Sequence, residues 1–275
     1  MPLAQSDFTF ISDLVRKQAA IVLEPGKEYL VESRLAPLAR TEVQGSISDL
    51  VAKLQADRSG KLASKVVDAM TTNETLFFRD GHPFETLRTI VLPQFLKARA
   101  AEGRLSIWCG ASSSGQEPYT IAMVLKEVLA THPGFGVDLL ASDVNEEMLE
   151  RTRLGSYSQL EVNRGLPIAS LMQHFERAGT QWQAKADLRA MIRTQNINLA
   201  TPLPVMGPFD LIFMRNVLIY FDNETKLKIL TQVRRLLRPD GYLFLGGAET
   251  TLNIDPGWDR VSLGPSTAYQ AKKGF

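Results

Sequence analysis

The chain has 275 residues and an apolar fraction of 44%, which predicts a globular protein with a sizeable core in one large or two modest domains. Its 31 Lys and Arg nearly balance its 30 Asp and Glu, so no global field is expected to attract nucleic acid or an anionic membrane. A single cysteine, Cys109, excludes an internal disulfide and a cysteine-rich metal cluster.

The first residues, MPLAQSDF, lack the basic and apolar regions of a signal peptide. No apolar run approaches the roughly 18 residues that would span a bilayer. We therefore expect a cytoplasmic protein without direct membrane insertion, which meets a membrane only through a partner.

The first 70 residues predict an all-helical domain. Apolar residues recur at helical spacing over 8–20, 26–43, 46–56 and 60–70. Ser46 stands where an N-cap is expected, and Asp49 follows it in the first turn. We place the helical domain at 1–70 and a second domain at 71–275.

Strands and helices alternate from residue 104 onward, which predicts the α/β class with a mostly parallel, doubly wound sheet. The predicted strands cover 105–108, 137–142, 190–197, 209–214 and 242–247, and the predicted helices cover 119–130, 145–153 and 223–238. Two last strand-like runs, 260–263 and 267–272, are joined by Gly264-Pro265 without a helix, so an antiparallel hairpin is expected to close the sheet.

The crossover between the second and third parallel strands is unusually long, from about 155 to 190. Trp182 and Leu188 flank a charged run in it that has little helical pattern. We interpret this segment as a small inserted subdomain.

The turn after the first strand has only small side chains from Gly110 through Ala111 to Gly115. Small residues let the backbone pass close beneath a ligand, and Glu117 places a carboxylate at the start of the next helix. The turn fits neither the dinucleotide nor the triphosphate glycine pattern. A cofactor with an amino group and a sulfonium is therefore favoured, and a tight turn without chemical meaning is the alternative.

Polar residues follow the other strands at the edge where ligands bind in open parallel sheets. Asp143 ends the second strand, where a carboxylate can accept both hydroxyls of a ribose; its alternative role is an N-cap, which Asn145 could fill as well. Asn198 follows the third strand and could present an amide to an adenine edge, although asparagine is also a common turn former.

Four segments of the sequence carry a family resemblance: TTNETLFFRD at 71–80, CGASSSGQEPYTIAM at 109–123, ASDVN at 141–145 and FDLIFMRNVLIYFD at 209–222. In order and spacing they resemble the chemotaxis receptor methyltransferases of the CheR type, over nearly the whole chain. The resemblance implies a class I methyltransferase domain with an inserted antiparallel subdomain, preceded by a small helical domain. It implies S-adenosylmethionine as cofactor, S-adenosylhomocysteine as product, and transfer of methyl groups to glutamates of chemoreceptor cytoplasmic helices during adaptation. We expect a monomer.

The resemblance also implies site residues. Segment 71–80 lies between the domains, and its Arg79 would meet both cofactor and substrate, while Tyr220 would lie beside the transferred methyl. The cofactor residues implied are Asn73, Thr75, Arg79, Gly110, Ala111, Glu117, Asp143, Asn198, Leu199, Met214, Arg215 and Asn216.

The reaction asks little of the side chains. A glutamate carboxylate has an unperturbed pKa of about 4.3, so it is already ionised at neutral pH and needs no general base. Arg79 and Tyr220 suit the remaining task of aligning it. Their alternatives are an exposed Arg79–Asp80 ion pair and a core tyrosine beside Phe221.

Two other functions stay open. A nucleic-acid methyltransferase should show a basic surface and, if it methylates amino groups, an N-P-P-Y-like motif where this chain has RNVLIY, so it is disfavoured. A non-catalytic adaptor that binds the cofactor and a chemosensory partner is compatible with the composition.

The remaining candidates favour packing or solvation. The three histidines, His82, His132 and His174, lack ligand spacing and are expected at surface or turn positions, so no metal site is predicted. Cys109 is expected to be a packed small apolar residue. A solvated helix face is expected for the basic residues of the helical domain, with a stripe for an acidic receptor helix as the alternative: Arg16, Lys17, Lys27, Arg34 and Arg40.

Relatives that tether themselves to a receptor's C-terminal pentapeptide add it as a strand beside a glycine-rich hairpin loop of the inserted subdomain. Here only 178–181 is expected to separate a helix end from the next strand, and Gly179 is its one glycine. We therefore predict an altered edge and a pentapeptide-independent enzyme that meets the receptor through its N-terminal helices.

Overall fold

The computed structural model describes residues 3–274, so residues 1–2 and 275 of the predicted domains lie outside it. The chain begins with the predicted all-helical domain, whose core includes Ile11, Val31 and Leu50. Ser46 forms the predicted cap: its hydroxyl accepts from Asp49 N at 3.2 Å, and Asp49 Oδ2 accepts from Ser46 N at 2.7 Å. The helices are α1 Gln5–Ala19, α2 Glu28–Glu42, α3 Ile47–Ala56 and α4 Lys61–Met70.

A seven-stranded sheet in the order β6-β2-β1-β7-β8-β10-β9 forms the centre of the second domain. Five neighbouring strands are parallel, and β10 runs antiparallel to both β8 and β9. This confirms the doubly wound sheet, its closing hairpin and the class I methyltransferase fold. The strands are β1 Arg104–Gly110, β2 Gly136–Asp143, β6 Ile192–Asn196, β7 Phe209–Met214, β8 Leu237–Leu245, β9 Trp258–Leu263 and β10 Ser266–Ala271.

Helices cover both faces of the sheet, and successive residues of β7 show why both faces are apolar. Leu211 and Phe213 belong to one core cluster, while Ile212 and Met214 belong to the other. All six residues of β7 are buried, as expected for a central parallel strand. The helices of the second domain outside the insert are α5 His82–Thr86, α6 Leu92–Ala98, α7 Gln116–Leu129, α8 Glu146–Leu154 and α12 Asn223–Leu236.

Two stretches differ from the sequence prediction. The region of α5 and α6, joined by a π-helical turn at Leu87–Val91, was assigned no structure from sequence, yet its Phe84 stacks on Phe213 with ring centroids 6.3 Å apart. The helix predicted to reach residue 238 ends at Leu236, because Leu237 pairs with Phe209 in the sheet.

The insert contains the predicted antiparallel sheet, in the order β3-β5-β4. The run between Trp182 and Leu188, expected to be helix-poor, contains the end of a strand and the first residues of a four-residue helix. Two further short helices precede that strand and pack against this sheet, and the first has a capping box of Ser158 and Glu161. Residues 175–178 form a strand, so the connection to β5 is only Gly179-Thr180 and not 178–181. The elements are β3 Ser156–Ser158, α9 Gln159–Asn163, α10 Ile168–His174, β4 Phe175–Ala178, β5 Gln181–Ala184 and α11 Ala186–Arg189.

Within residues 3–274, none of the helices has the length and apolar character needed to cross a bilayer.

Candidate functional site

A cavity opens at the carboxyl edge of β1, β2, β6 and β7, where the end of α1 and the segment after α4 cover it. Four parallel strands end there, so their following loops converge on one space. The lining residues are Ala19, Ile21, Thr71, Thr72, Asn73, Glu74, Thr75, Arg79, Ala111, Ser112, Ser113, Glu117, Asp143, Val144, Ile197, Asn198, Leu199, Arg215, Asn216, Val217, Tyr220 and Phe221.

Asp143 lies at the end of β2 with only 7% of its surface exposed. Its Oδ2 accepts from Ser113 N at 2.8 Å and its Oδ1 from Asn145 N at 2.9 Å. Burial raises the pKa of the carboxyl, while these backbone donors act to lower it. Each carboxylate oxygen has a second lone pair, so Asp143 can still accept two donors from a ligand. The N-cap role belongs to Asn145, whose side chain accepts from Met148 N.

Only the middle of the small-residue turn reaches the cavity. Ala111 and Ser113 line it in left-handed conformations, with φ of 56° and 50°. Gly110 does not line it, and a Cβ there would meet Met214 Cε at 3.2 Å. Gly115 has φ of +98°, and a Cβ would lie 2.8 Å from Thr152 Oγ1. Gly115 is therefore required by its backbone conformation and by packing, while Gly110 relieves a tight contact with Met214, and neither lines the cavity.

Arg215 and Glu117 form a buried ion pair at the cavity wall, with side-chain exposures of 1% and 12%. Arg215 also donates to Asp80 Oδ2 at 2.6 Å and to Arg79 O at 3.0 Å, and its guanidinium lies 5.4 Å from the Phe84 ring centroid. Its charge is balanced by two carboxylates. This pair fixes the predicted acid at the start of α7 against the end of β7.

Arg79 lies on the segment between α4 and α5 and is half-buried at the cavity. Its Nη1 donates to Glu74 O at 3.2 Å, and its neighbours Phe78 and Asp80 have φ of 50° and 68°. Such backbone strain concentrates at functional sites. The alternative of an Arg79–Asp80 ion pair is not what the structure contains, because Asp80 pairs with Arg215.

Asn198 connects the loop after β6 to the helical domain. Its Nδ2 donates to Gln18 O at 2.5 Å, and its Oδ1 accepts from Ala200 N at 2.9 Å. Leu199 beside it is 6% exposed and lines the cavity. The amide of Asn198 thus has part of its hydrogen-bonding capacity engaged by the protein itself.

Tyr220 ends a 3-10 turn, Leu218–Tyr220, and lies half-buried at the cavity. Its backbone O accepts from Val22 N at 3.2 Å, which ties it to the loop between α1 and α2. Asn216, four residues earlier, has φ of 59°. Tyr220 and its neighbour Phe221 both line the cavity, and Phe221 is the more buried of the two, at 8% exposure.

Most sequence-predicted site residues therefore meet at one cavity, and Gly110 and Met214 do not. Met214 is fully buried and packs in the core beneath the site. Sequence reasoning missed the apolar lining residues Ile21 and Val217 and the buried acid Glu249, whose carboxylate binds the loop that carries Tyr220. A signal existed for Glu249, because it follows the carboxyl end of β8 at the same edge.

The other predicted candidates fall outside the cavity. Cys109 is fully buried, as expected, and burial raises the pKa of its thiol. The prediction of surface or turn positions for the histidines was wrong for His174, which is 5% exposed and whose pKa is lowered by burial. In the described range 3–274, no group of three or more His, Cys, Asp or Glu is placed to hold a metal ion.

Two of the basic residues considered for a receptor stripe have partners within the chain. Arg34 Nη1 donates to Met70 O at 2.6 Å and Thr71 O at 3.0 Å, so it fastens the segment that enters the cavity. Arg16 pairs with Asp222 at 3.2 Å on the surface.

The chain is similar in sequence to the proteins of one family. Residues 73–263 match the family model described as the CheR methyltransferase, SAM binding domain, and residues 6–71 match the CheR methyltransferase, all-alpha domain. The chain is 41% identical to chemotaxis protein methyltransferase 1 of Pseudomonas aeruginosa, over 99% of this chain and 100% of that protein. It is 38% identical to chemotaxis protein methyltransferase Cher2 of Pseudomonas putida over the same shares. Identity to the chemotaxis protein methyltransferase of Escherichia coli is 33%, over 99% of this chain and 93% of that protein.

Proposed function

The chain belongs to the CheR methyltransferase family, with S-adenosylmethionine as cofactor and chemotaxis as its setting, and we propose that it methylates glutamate γ-carboxylates on the cytoplasmic helices of chemoreceptors. One observation carries the proposal. Arg79, Asp143 and Tyr220, from three distant parts of the chain, border a single cavity whose lining residues include no histidine or cysteine. A site without those bases suits a nucleophile that is already ionised.

The residues present fit the cofactor. Asp143 retains acceptor positions for the two ribose hydroxyls, and the cavity walls beside it are apolar at Ile197 and Leu199, where adenine would lie. Glu117 and Arg215 supply one charge of each sign, which matches the amino and carboxylate groups of a methionine moiety. When bound, S-adenosylmethionine supplies a methyl group on a sulfonium. We propose these contacts, with Asn73, Thr75, Arg79, Ala111, Asn198 and Asn216 beside them, as the cofactor site.

Arg79 and Tyr220 perform the positioning step in this proposal. A carboxylate that attacks a sulfonium loses charge along the reaction, so a site that excludes water favours the transfer. Donors from Arg79 and Tyr220 hold the substrate carboxylate in line with the sulfur–methyl bond. Alignment of this kind supplies several kcal/mol, and about 7–11 kcal/mol is reached in the best-oriented intramolecular reactions. No proton has to move.

We also propose how the substrate is met. The connection between β4 and β5 is two residues, Gly179-Thr180, and has one glycine. So short a turn differs from a longer glycine-rich loop in the backbone it offers beside the sheet edge. We infer an enzyme that does not need the receptor's C-terminal pentapeptide and that contacts the receptor hairpin through its N-terminal helices. We also infer that it acts in the cytoplasm. Its two domains are placed at 1–70 and 71–275.

Incubation with methyl-labelled S-adenosylmethionine and a receptor cytoplasmic fragment tests the activity. We expect label on the receptor that is released as methanol by mild base, as for a glutamate ester, and none on a fragment whose acceptor glutamates are replaced by glutamine. Calorimetric binding of S-adenosylhomocysteine without any transfer would favour the adaptor. Label on added nucleic acid would favour the other alternative.

A further inference from the structure

Glu249 lies beneath the loop 216–220 that carries Tyr220, and its carboxylate accepts hydrogen bonds from several backbone N–H groups of this loop. It is 9% exposed. Oε1 accepts from Val217 N at 2.9 Å and Leu218 N at 2.7 Å, with Ile219 N at 3.4 Å, while Oε2 accepts from Asn216 N at 2.7 Å. One carboxylate thus satisfies four consecutive N–H groups.

The conformation of the loop explains why a carboxylate fits there. Asn216 has a left-handed φ of 59°, and the 3-10 turn begins two residues later at Leu218. A left-handed residue followed by a helical turn directs successive N–H groups to one side, which forms a concave anion-binding site in the backbone. Left without an acceptor, each buried N–H would cost about 1–3 kcal/mol.

The position of Glu249 is itself fixed. Its N–H donates to Gly246 O at 2.9 Å, and its Oε2 accepts from Gly246 N at 2.7 Å. A Cβ at Gly246 would lie 2.8 Å from Oε2 and 2.6 Å from Asn216 Nδ2, so a side chain would push the two apart. The end of β8 therefore holds the carboxylate in a single place.

We propose that Glu249 is a positioning residue that sets where the Tyr220 side chain stands at the cavity mouth. The inference rests on the proposed function, because it assumes that Tyr220 orients the substrate carboxylate. Residue 215, at the start of the loop, is held separately by the ion pair with Glu117. Loss of the Glu249 charge therefore loosens 216–220, of which only Asn216 belongs to the proposed cofactor site, and leaves Arg215, Glu117 and Asp143 held by their own partners.

The variant E249Q tests the proposal, since an amide keeps one acceptor oxygen and replaces the other with a donor. The control is D255N, a second buried carboxylate, 4% exposed, which accepts from Gly257 N at 2.9 Å and Trp258 Nε1 at 3.1 Å and does not line the cavity. E249D, which retains the charge, serves as the rescue variant and replaces E249Q if the latter does not fold.

Three quantities are measured for E249Q, E249D and D255N: the rate of amide hydrogen exchange, the affinity for S-adenosylhomocysteine, and kcat for receptor methylation. For E249Q we expect faster exchange over 216–219, a dissociation constant within about threefold of the parent, and kcat reduced at least about tenfold, as for misplaced positioning groups. E249D should recover part of kcat. D255N should lower stability without changing kcat or exchange in 216–219.

A double-mutant cycle with Y220F completes the test. If Glu249 acts through Tyr220, E249Q lowers kcat much less in the Y220F background than in the parent. Three outcomes would each overturn the proposal. They are fully additive losses of kcat in E249Q and Y220F, an unchanged kcat in E249Q when the parent is active, and amide hydrogen exchange over 216–219 at the rate of the parent. Inactivity of the parent itself toward the receptor fragment would instead count against the proposed function, and faster exchange in E249Q would then still show the role of the carboxylate in holding the loop.

Discussion

Asp68, in the last turn of α4, is linked to Asp143 at the end of β2 through Asn145, whose backbone N donates to Asp143 Oδ1 at 2.9 Å and whose side chain donates to Asp68 O. Burial, and then the charge of Asp143, raise the pKa of the Asp68 carboxyl to about 6. Asn145 joins the same turn to the sheet, because its Nδ2 donates to Asp68 O at 3.2 Å and to Thr71 Oγ1 at 3.1 Å. The contact between the helical domain and the cofactor edge therefore includes a carboxylate that is costly to ionise.

Asp68→Asn is expected to stabilise the chain at pH 7.5 and to leave its stability nearly unchanged at pH 4. The folded carboxyl keeps its proton at pH values where the unfolded one has lost it, so the parent loses stability as the pH rises from about 4 to about 6. Because Asp68 is half-buried and screened by solvent, we expect a gain of about 1 kcal/mol above pH 6. Urea unfolding at both pH values measures it.

The control for this experiment is Asp13→Asn, at an exposed position of α1. It should show the same small difference from the parent at both pH values. An equal gain at pH 4 and pH 7.5 for Asp68→Asn would mean that packing, and not ionisation, is responsible.

Asp143→Ala is expected to weaken S-adenosylhomocysteine binding by roughly 2–4 kcal/mol, because two charge-assisted hydrogen bonds to the ribose are lost. Stability should fall as well, since Ser113 N and Asn145 N lose their acceptor. Calorimetry on the folded variant gives the affinity. Asp138→Asn, on the same strand but paired with Arg193 outside the cavity, is the control that should bind like the parent. Parent-like affinity in Asp143→Ala would remove Asp143 from the ribose site.

Tyr220→Phe is expected to reduce kcat at saturating cofactor while S-adenosylhomocysteine affinity stays nearly constant. The hydroxyl is proposed to contact the substrate carboxylate, so its loss affects the transition state more than cofactor binding. Steady-state methylation and calorimetry separate the two effects. Tyr242→Phe, on β8 outside the cavity and with its hydroxyl accepting from Gln94 Nε2 at 3.3 Å, provides the matched control. Equal turnover of Tyr220→Phe and the parent would leave Tyr220 a packing residue.

Gly115→Ala is expected to lower the free energy of unfolding by about 2–4 kcal/mol, since it combines an unfavourable φ with a clash in a packed interior. The added Cβ would lie 2.8 Å from Thr152 Oγ1 and 2.9 Å from Tyr157 Oη. Gly179→Ala is a useful comparison, because Gly179 also has a positive φ, 61°, but nothing lies within 4 Å of its Cβ position. Urea unfolding should show the larger loss at Gly115; equal losses would assign the whole effect to φ.

Local patterns made the sheet and the four N-terminal helices predictable. Period-3.6 spacing, the Ser46 cap and the buried run of β7 each determine their element with little help from distant residues. Helix α9 of the insert was missed because it is five residues long, too short for a periodic pattern to emerge. The helix expected to end just before 178 is α10, which ends at His174 because residues 175–178 pair with β5. Their stability comes from packing, as the near-perpendicular contact of Phe77 with Phe175 at 5.7 Å illustrates.

The candidate site was predictable where a polar residue directly follows a strand, as Asp143 does. Arg79 and Tyr220 were singled out by family resemblance, and the sequence alone could not show that they share a cavity. Glu249 follows the end of β8 at the same edge, but its role was missed because it depends on backbone N–H groups more than 30 positions earlier in the chain, which no sequence pattern identifies.

If the enzyme does not need the receptor's C-terminal pentapeptide, a peptide with the sequence of that tail does not bind the purified enzyme. A receptor fragment without its tail is then methylated at the same rate as a fragment with its tail. Strand β4 is an outer strand of the insert's sheet, with Arg177 stacked over Trp182 at 5.0 Å beside the short turn. A peptide added as a strand needs that edge.

A variant at the edge makes this result decisive. Arg177→Pro removes an N–H that points away from β5: Lys185 N donates to His174 O, and the pairing alternates along β4, so Ala178 N–H faces β5 and Arg177 N–H faces the open edge. The variant would impair strand addition there, so it should change neither peptide titration nor methylation if the edge is unused. Arg177→Ala, which loses the same contact with Trp182 but keeps the N–H, is the control. Micromolar binding of the peptide that Arg177→Pro abolishes and Arg177→Ala preserves would establish tail binding at β4 and overturn the prediction.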